Sequence, residues 1–286
     1  MTLDNLIKYN DNLTPIESQL AQYILTHQDV VEKLSITALS EITFVSKSAI
    51  HRFCKKIGLN GYNELKVKIA QNIANQNASV QQIDVNYPFN AEDSPRMIAQ
   101  KLLRLYESTI TDTHNFIDMI ELNKVSQLLN SAQIIDIYTH AHNISIAENF
   151  QDKMRSIGRM VNCADAFYTQ RCMATASRTD HVAIILSYSG RATFIPSITK
   201  TLYKKKVPIV LIGKAGNNQL SHLFQHRLYI SDQENLRNRI SQFSSHIAMQ
   251  YMLDILYGCI FKFNYHENIK YIQETINIID DRNLNE

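Results

Sequence analysis

Residues 35–68 read SITALSEITFVSKSAIHRFCKKIGLNGYNELKVK, and this stretch decides the fold of the N-terminal part of the chain. Ser35 is placed to cap a short helix over residues 36–42, in which Ile36, Leu39 and Ile42 recur at helical spacing. A turn at residues 43–45 follows. Ser46 supplies a second N-cap hydroxyl, and the helix after it is expected to bury Ala49, Ile50, Phe53 and Ile57 before Gly58 ends it. Ser46, Lys47, Ser48, His51, Arg52, Lys55 and Lys56 remain for the outside, and no carboxylate occurs between Ser46 and Asn63. A helix lying between two rows of phosphates needs that mixture of positive charge and hydrogen-bond donors, and its N-terminal residues reach base edges. The pattern predicts a helix-turn-helix facing double-stranded operator DNA through Ser46, Lys47, Ser48, His51, Arg52 and Lys55. A solvated face on an ordinary helix would carry the same charges.

Composition sets the surrounding bounds. A chain of 286 residues, 45% hydrophobic and 20% charged, is long enough for two domains with cores of their own. Its net charge of +2 is too small to mark a nucleic-acid partner, so that reading rests on the local cluster between Lys47 and Lys68. Cys54, Cys163, Cys172 and Cys259 are scattered without a CxxC pair, which argues against a zinc knuckle or a thioredoxin-type site and suits reduced thiols. The start, MTLDNLIKYNDN, lacks a basic segment followed by an apolar one, and no apolar run is long enough to cross a bilayer. A cytoplasmic protein with no membrane partner and no cofactor is expected.

A shift in composition divides the chain. Residues 72–93, NIANQNASVQQIDVNYPFNAED, are polar, amide-rich and broken by Pro88. Upstream, Thr14, Pro15 and Glu17 form a helix start whose Leu20, Ile24 and Tyr23 would pack beneath the paired helices. Downstream, Ser94 and Pro95 open a helix carrying Ile98, Leu102, Leu105 and Tyr106, and another helix is expected over residues 122–129. From Gln133 short apolar runs alternate with helical segments, at residues 134–138, 160–163, 182–186, 207–212 and 227–230. That alternation predicts a parallel sheet flanked by helices.

In such sheets ligands sit beyond the carboxyl ends of the strands, where loops feed helix N-termini. The loop at residues 187–193, SYSGRAT, directly follows the apolar run VAIIL. Its hydroxyls, a glycine that permits close backbone approach and the following helix dipole suit a phosphate dianion, although a serine-rich turn also serves as a plain helix cap. His140 and His142 alternate at the end of the first strand, as metal ligands would, but no third ligand is identifiable from spacing.

Residues 39–66, LSEITFVSKSAIHRFCKKIGLNGYNELK, resemble the N-terminal domain of the RpiR/MurR family of bacterial transcription regulators. The resemblance is carried by Val45 and Ser46, by the run from Arg52 to Lys56, and by Gly58, Leu59, Asn60, Gly61 and Tyr62. It implies an all-α helix-turn-helix domain followed by an α/β sugar isomerase (SIS) domain. The implied division is residues 1–75 for DNA binding, 76–93 as linker and 94–286 as the phosphosugar-binding domain with its leading helices. Phe44 departs from the family, which often has Gly there. SYSG resembles the SIS phosphate loop S-x-S-G-x-T, with Ser187, Ser189 and Gly190 in place, Ala192 where the threonine would stand and Thr193 one residue late. After the first strand the family shows G-x-G-x-S, whereas this chain has Thr139, His140, Ala141, His142 and Asn143. Glu234, Arg239, Ser244 and Ser245 match the polar residues where a SIS loop passes into a long helix. The implied ligand-binding set is Asn143, Ser187, Ser189, Gly190, Thr193 and Glu234.

Two classes of function follow. One is a DNA-binding regulator, a repressor acting as a homodimer or tetramer, whose SIS domain senses a phosphosugar effector. The other is an aldose-ketose isomerase with an accessory domain, in which Glu234 would move a proton. Glu234 could equally hold a sugar hydroxyl, or pair with Arg237 or Arg239. The regulator is favoured, because an isomerase has no use for a basic recognition helix and the altered first loop disturbs substrate positioning. A SIS domain kept only for dimerisation is a third reading.

Overall fold

The computed structural model describes residues 3, 7, 13–78, 83–216 and 220–279. The chain divides into two compact units, Met1–Ile83 and Asp84–Glu286.

The first unit is helical: α1 (Pro15–Thr26), α2 (Gln28–Val31), α3 (Ile36–Thr43), α4 (Lys47–Lys56) and α5 (Tyr62–Ala78). Thr14 and Glu17 form a reciprocal capping box at the start of α1, with Pro15 at the first helical position. Ser35 caps α3 by accepting from the Ala38 N–H, and Ser46 caps α4 by accepting from the Ala49 N–H. Leu20, Ile24, Leu39, Ile50, Phe53, Cys54, Leu65 and Ile69 are buried in one core, with Ala49 and Tyr23 packed at its margin. Cys54 joins Ile50 and Phe53 inside, which the sequence reading missed, and burial pushes its thiol up to about 11. Ile42 does not lie inside; it is 45% exposed. Residues three apart on a helix are offset by about 60°, so Ile36 and Ile42 flank Leu39 on opposite sides, and the core lies on the Ile36 side. The Tyr62 hydroxyl donates towards the carbonyls of Val31 and Leu34, tying α5 to the segment before α3.

The second unit opens with α6 (Pro95–Phe116), capped by Ser94, and α7 (Met119–Ser131). The elements β1 (Ile134–Tyr138), α8 (Asn143–Arg155), β2 (Val161–Cys163), α9 (Phe167–Ala176), β3 (His181–Leu186), α10 (Ile195–Lys204), β4 (Ile209–Lys214) and β5 (His226–Ile230) follow in order. Two more helices, α11 (Phe243–Phe263) and α12 (Tyr265–Ile279), complete it. The five strands are all parallel in the order β2-β1-β3-β4-β5. Alternate residues enter opposite layers, as a period of two requires. Ile135, Ile137, Val182, Ile184, Val210 and Ile212 pack with α7, α8 and α11, whereas Tyr138, Ala183, Ile185, Ile209 and Leu211 pack with α9 and α10.

The first strand falls where predicted, and the other four differ from the predicted ones by one or two residues at one or both ends. Met160 is exposed and outside β2, and β4 starts after Pro208, whose missing N–H cannot join a ladder. Helix α5 runs to Ala78, into the segment read as linker. Residues 84–93 belong to the second unit, and residues 79–82 lie outside the described residues.

Candidate nucleic-acid interface and ligand cleft

Helix α4 presents Lys47, Ser48, His51, Arg52 and Lys55 to solvent at spacings that share one face, with Ser46 exposed at its cap. No ion pair among the described residues involves Lys47, Arg52 or Lys55, so their charges are uncommitted. Lys56 differs. Its ammonium lies 2.7 Å from Glu17 of α1 and is drawn off that face. The Ser46 hydroxyl is shared between the Ala49 N–H, at 3.3 Å, and the Ser48 hydroxyl, at 3.1 Å. The turn into α4 is tight, with Phe44 at φ 55, in the left-handed region that glycine occupies without strain.

At the carboxyl ends of the strands, a cleft of about 860 Å³ lies over β3, β4 and the loop after β5. Asn86, Ser189, Arg191, Lys214 and residues 232–237 line it. Of the six sequence-predicted ligand residues, the cleft brings together Ser189 and Glu234. Ser187, Gly190 and Thr193 share the Ser189 loop without lining the cleft, and Asn143 starts α8 beyond β1. Ser187 is buried, its N–H bound to the Ile212 carbonyl, and Gly190 takes φ 63. The Ser189 hydroxyl accepts from the Arg191 N–H at 3.2 Å.

The cleft carries three cations that sequence reasoning missed or passed over: Arg191, Lys214 and Arg237. Lys214 ends β4, with its ammonium 5.3 Å from the centre of the Tyr188 ring. A strand end beside a glycine-bearing loop was the available signal, but only the pairing of β3 with β4 places Lys214 next to SYSG. Gly213 permits that approach, because a Cβ there would stand 2.2 Å from the Ser187 carbonyl oxygen. Gly213→Ala is therefore expected to force β3 and β4 apart and to destabilise the protein by about 1–3 kcal/mol or more. Chemical denaturation checks this, and an unchanged midpoint and slope would count against the close approach.

Glu234 is held rather than free. Its carboxylate pairs with Arg239 and accepts from the Ser245 N–H at 2.9 Å and the Ser245 hydroxyl at 2.6 Å, clamping the start of α11. Of the two arginines that the sequence offers as partners, Arg239 takes the carboxylate and Arg237 lines the cleft. Backbone groups of Glu234 exchange two further bonds with the buried Tyr188 hydroxyl, which accepts from the Glu234 N–H at 3.0 Å and donates to its carbonyl at 3.1 Å. Ser244 faces α6 through the Thr109 hydroxyl, 3.0 Å away.

The start of the loop after β1 is packed inward, and its later residues Ala141 and His142 are exposed. Thr139 is fully buried and donates to the Leu186 carbonyl at 2.8 Å, bridging β1 and β3 where the strand order reverses. Ala141 has φ 53, the conformation expected of the family glycine it replaces. His140 packs edge-on against Phe194, with ring centres 5.4 Å apart, and burial lowers its pKa. Its imidazole is accordingly neutral near pH 7 and is a poor counter-ion for phosphate. Among the described residues no group of three or more His, Cys, Asp or Glu side chains is arranged to hold a metal ion. Among the same residues no helix is long and apolar enough to cross a membrane.

A helix-turn-helix with an uncommitted basic face, ahead of a parallel-sheet domain, is the build of a transcription regulator. Residues 1–76 match the helix-turn-helix domain of the rpiR family, and residues 128–254 match the SIS domain. The chain belongs to the rpiR family of helix-turn-helix regulators that carry a SIS domain. It is 28% identical over 276 residues to an HTH-type transcriptional regulator of Caldanaerobacter subterraneus, covering 96% of each chain. It is 25% identical over 207 residues to the HTH-type transcriptional regulator HexR of Pseudomonas aeruginosa, covering 72% of this chain and 71% of HexR. Among solved structures it shares its fold with Vibrio vulnificus NanR complexed with ManNAc-6P, at 19% identity, TM-score 0.59 and 97% coverage of both chains.

Proposed function

We propose that this protein is a cytoplasmic repressor that binds a pseudo-palindromic operator through α4 as a homodimer or tetramer and responds to a phosphosugar held in the cleft. The observation that carries the reading is the exposed face of Lys47, His51, Arg52 and Lys55, free of carboxylates, on a capped second helix. The cleft supports the effector class. Arg191, Lys214 and Arg237 line it together with Asp232 and Glu234, and the charge of Glu234 is balanced by Arg239, so positive charge is in excess. NanR, which shares this fold, is complexed with a phosphosugar, and that supports the same class of ligand here. Residues 1–75, 76–93 and 94–286 are the proposed working division, although residues 84–93 do more than connect. Asn86 lines the cleft, accepts from the Asn235 N–H at 2.7 Å and accepts through its carbonyl from the Ile240 N–H at 2.9 Å. A ligand in the cleft therefore meets the segment that leads back to the DNA-binding unit.

Catalysis is not part of this reading. An isomerase needs a base free to take a proton from carbon, and both Glu234 oxygens already accept bonds. Thr139 and His140 also fill the space beside β1. A screen of hexose and pentose phosphates, read by thermal shift and by aldose-ketose conversion, tests both halves. At least one phosphosugar is expected to raise the melting temperature, a ligand at 100 times its Kd adding about 2.7 kcal/mol. None is expected to be converted. Turnover near one per second or faster, roughly an ordinary enzyme rate, would contradict the reading.

A further inference from the structure

Phe44 ends α3 at φ 55 and ψ 26, where the Cβ of any residue other than glycine is crowded. Within the first unit the ring is uncovered, the residue being 95% exposed. A single exposed apolar side chain is ordinary, but a bulky residue in the left-handed region is not. Glycine would relieve the backbone and remove the ring from water, so the free protein gains nothing from Phe44 that explains either feature. Strain of this kind is found where a residue is held for an encounter.

The neighbours of Phe44 identify the partner. Val45 is buried and Ser46 caps α4, so the chain holds Phe44 three residues ahead of the helix bearing Lys47, His51, Arg52 and Lys55. That set of exposed cations and donors attracts a polyanion. Resting on the reading of α4 as the DNA-facing helix, we infer that Phe44 lies in the DNA interface, with its ring packed on apolar C–H surface of the duplex beside the bases that α4 reads. Duplex DNA offers such surface at the thymine 5-methyl group in the major groove and at the deoxyribose of the backbone. Phe44 then adds to the polar contacts of α4 a contact that salt does not screen.

The test uses the full chain and a duplex that the wild-type protein has selected from a random-sequence pool, with the variants Phe44→Gly, Phe44→Asn and Phe44→Tyr. Gly and Asn suit the left-handed backbone, so both are expected to melt a few degrees higher than wild type. Both are expected to bind the duplex about tenfold more weakly, with the salt dependence unchanged because every phosphate keeps its cation. Phe44→Tyr keeps the ring and is expected to keep the affinity. Replacing thymine by deoxyuridine separates the two sources of apolar surface. Weaker binding of wild type but not of Phe44→Gly assigns the ring to a thymine methyl, whereas equal binding of both duplexes by wild type assigns it to deoxyribose. Wild-type affinity retained in Phe44→Gly and Phe44→Asn would overturn this inference alone. A wild-type protein that selects no duplex would overturn the regulator reading and this inference with it.

Discussion

The double variant Arg52→Ala, Lys55→Ala is expected to bind operator DNA at least about tenfold more weakly than wild type at physiological salt. Both side chains are exposed on α4 and neither is paired within the described residues, so their charges are available to phosphates. Removing one cation from a phosphate should also reduce the slope of log affinity against log salt by about one, giving a change of about two for the pair. Melting temperature should change little, because neither residue belongs to the core built by Ile50, Phe53 and Cys54. Lys56→Ala is the useful contrast. Its ammonium is held by Glu17, so its loss should affect DNA binding less and the packing of α1 on α4 more. Fluorescence anisotropy at two salt concentrations measures both effects, and unchanged affinity in the double variant would remove α4 from the interface.

The second large effect is expected in the cleft. Lys214→Met combined with Ser189→Ala removes one charge and one hydroxyl from the lining while keeping the length and apolar stem of residue 214. A charge-assisted hydrogen bond to phosphate contributes about 1.5–3 kcal/mol, so affinity for the stabilising phosphosugar should fall by roughly one to two orders of magnitude. DNA binding without effector should stay near wild type. Calorimetric titration reads the loss directly. A double variant that binds the sugar phosphate as tightly as wild type would place the phosphate away from the β3–β4 end of the cleft.

Local signals in the sequence located most of the architecture. Thr14, Ser35, Ser46 and Ser94 each marked a helix start, because a capping hydroxyl is a short-range requirement that composition cannot hide. The apolar runs located all five strands, since a parallel sheet covered on both faces demands continuous hydrophobic segments. The cleft was less legible for the opposite reason. Lys214 and Arg237 are separated in sequence from Ser189, and they meet it only because β3, β4 and β5 are neighbours. Gly213 lies just past the apolar run at residues 207–212, and only its closeness to the Ser187 carbonyl gives it a role. Glu234 had the residue type of a catalytic base, and only its bonds to Arg239 and Ser245 identify it as a clamp. The strand order also places the loop after β1, which departs from the family pattern, beside the crevice between β1 and β3. The crevice between β1 and β3 is bridged by Thr139, and His140 and Phe194 pack above it.

Coupling between the cleft and the DNA is the central claim, and operator affinity measured with and without a phosphosugar tests it most directly. The sugar phosphate that raises the melting temperature most is added to the complex of wild-type protein with its selected duplex, and to the same complex of the Lys214→Met, Ser189→Ala variant. Affinity of the wild-type complex is predicted to change by about fivefold or more, the lower end of ordinary allosteric coupling, while that of the variant stays constant at the same sugar concentration. A sugar phosphate that stabilises the wild-type protein yet leaves its operator affinity unchanged would contradict the account.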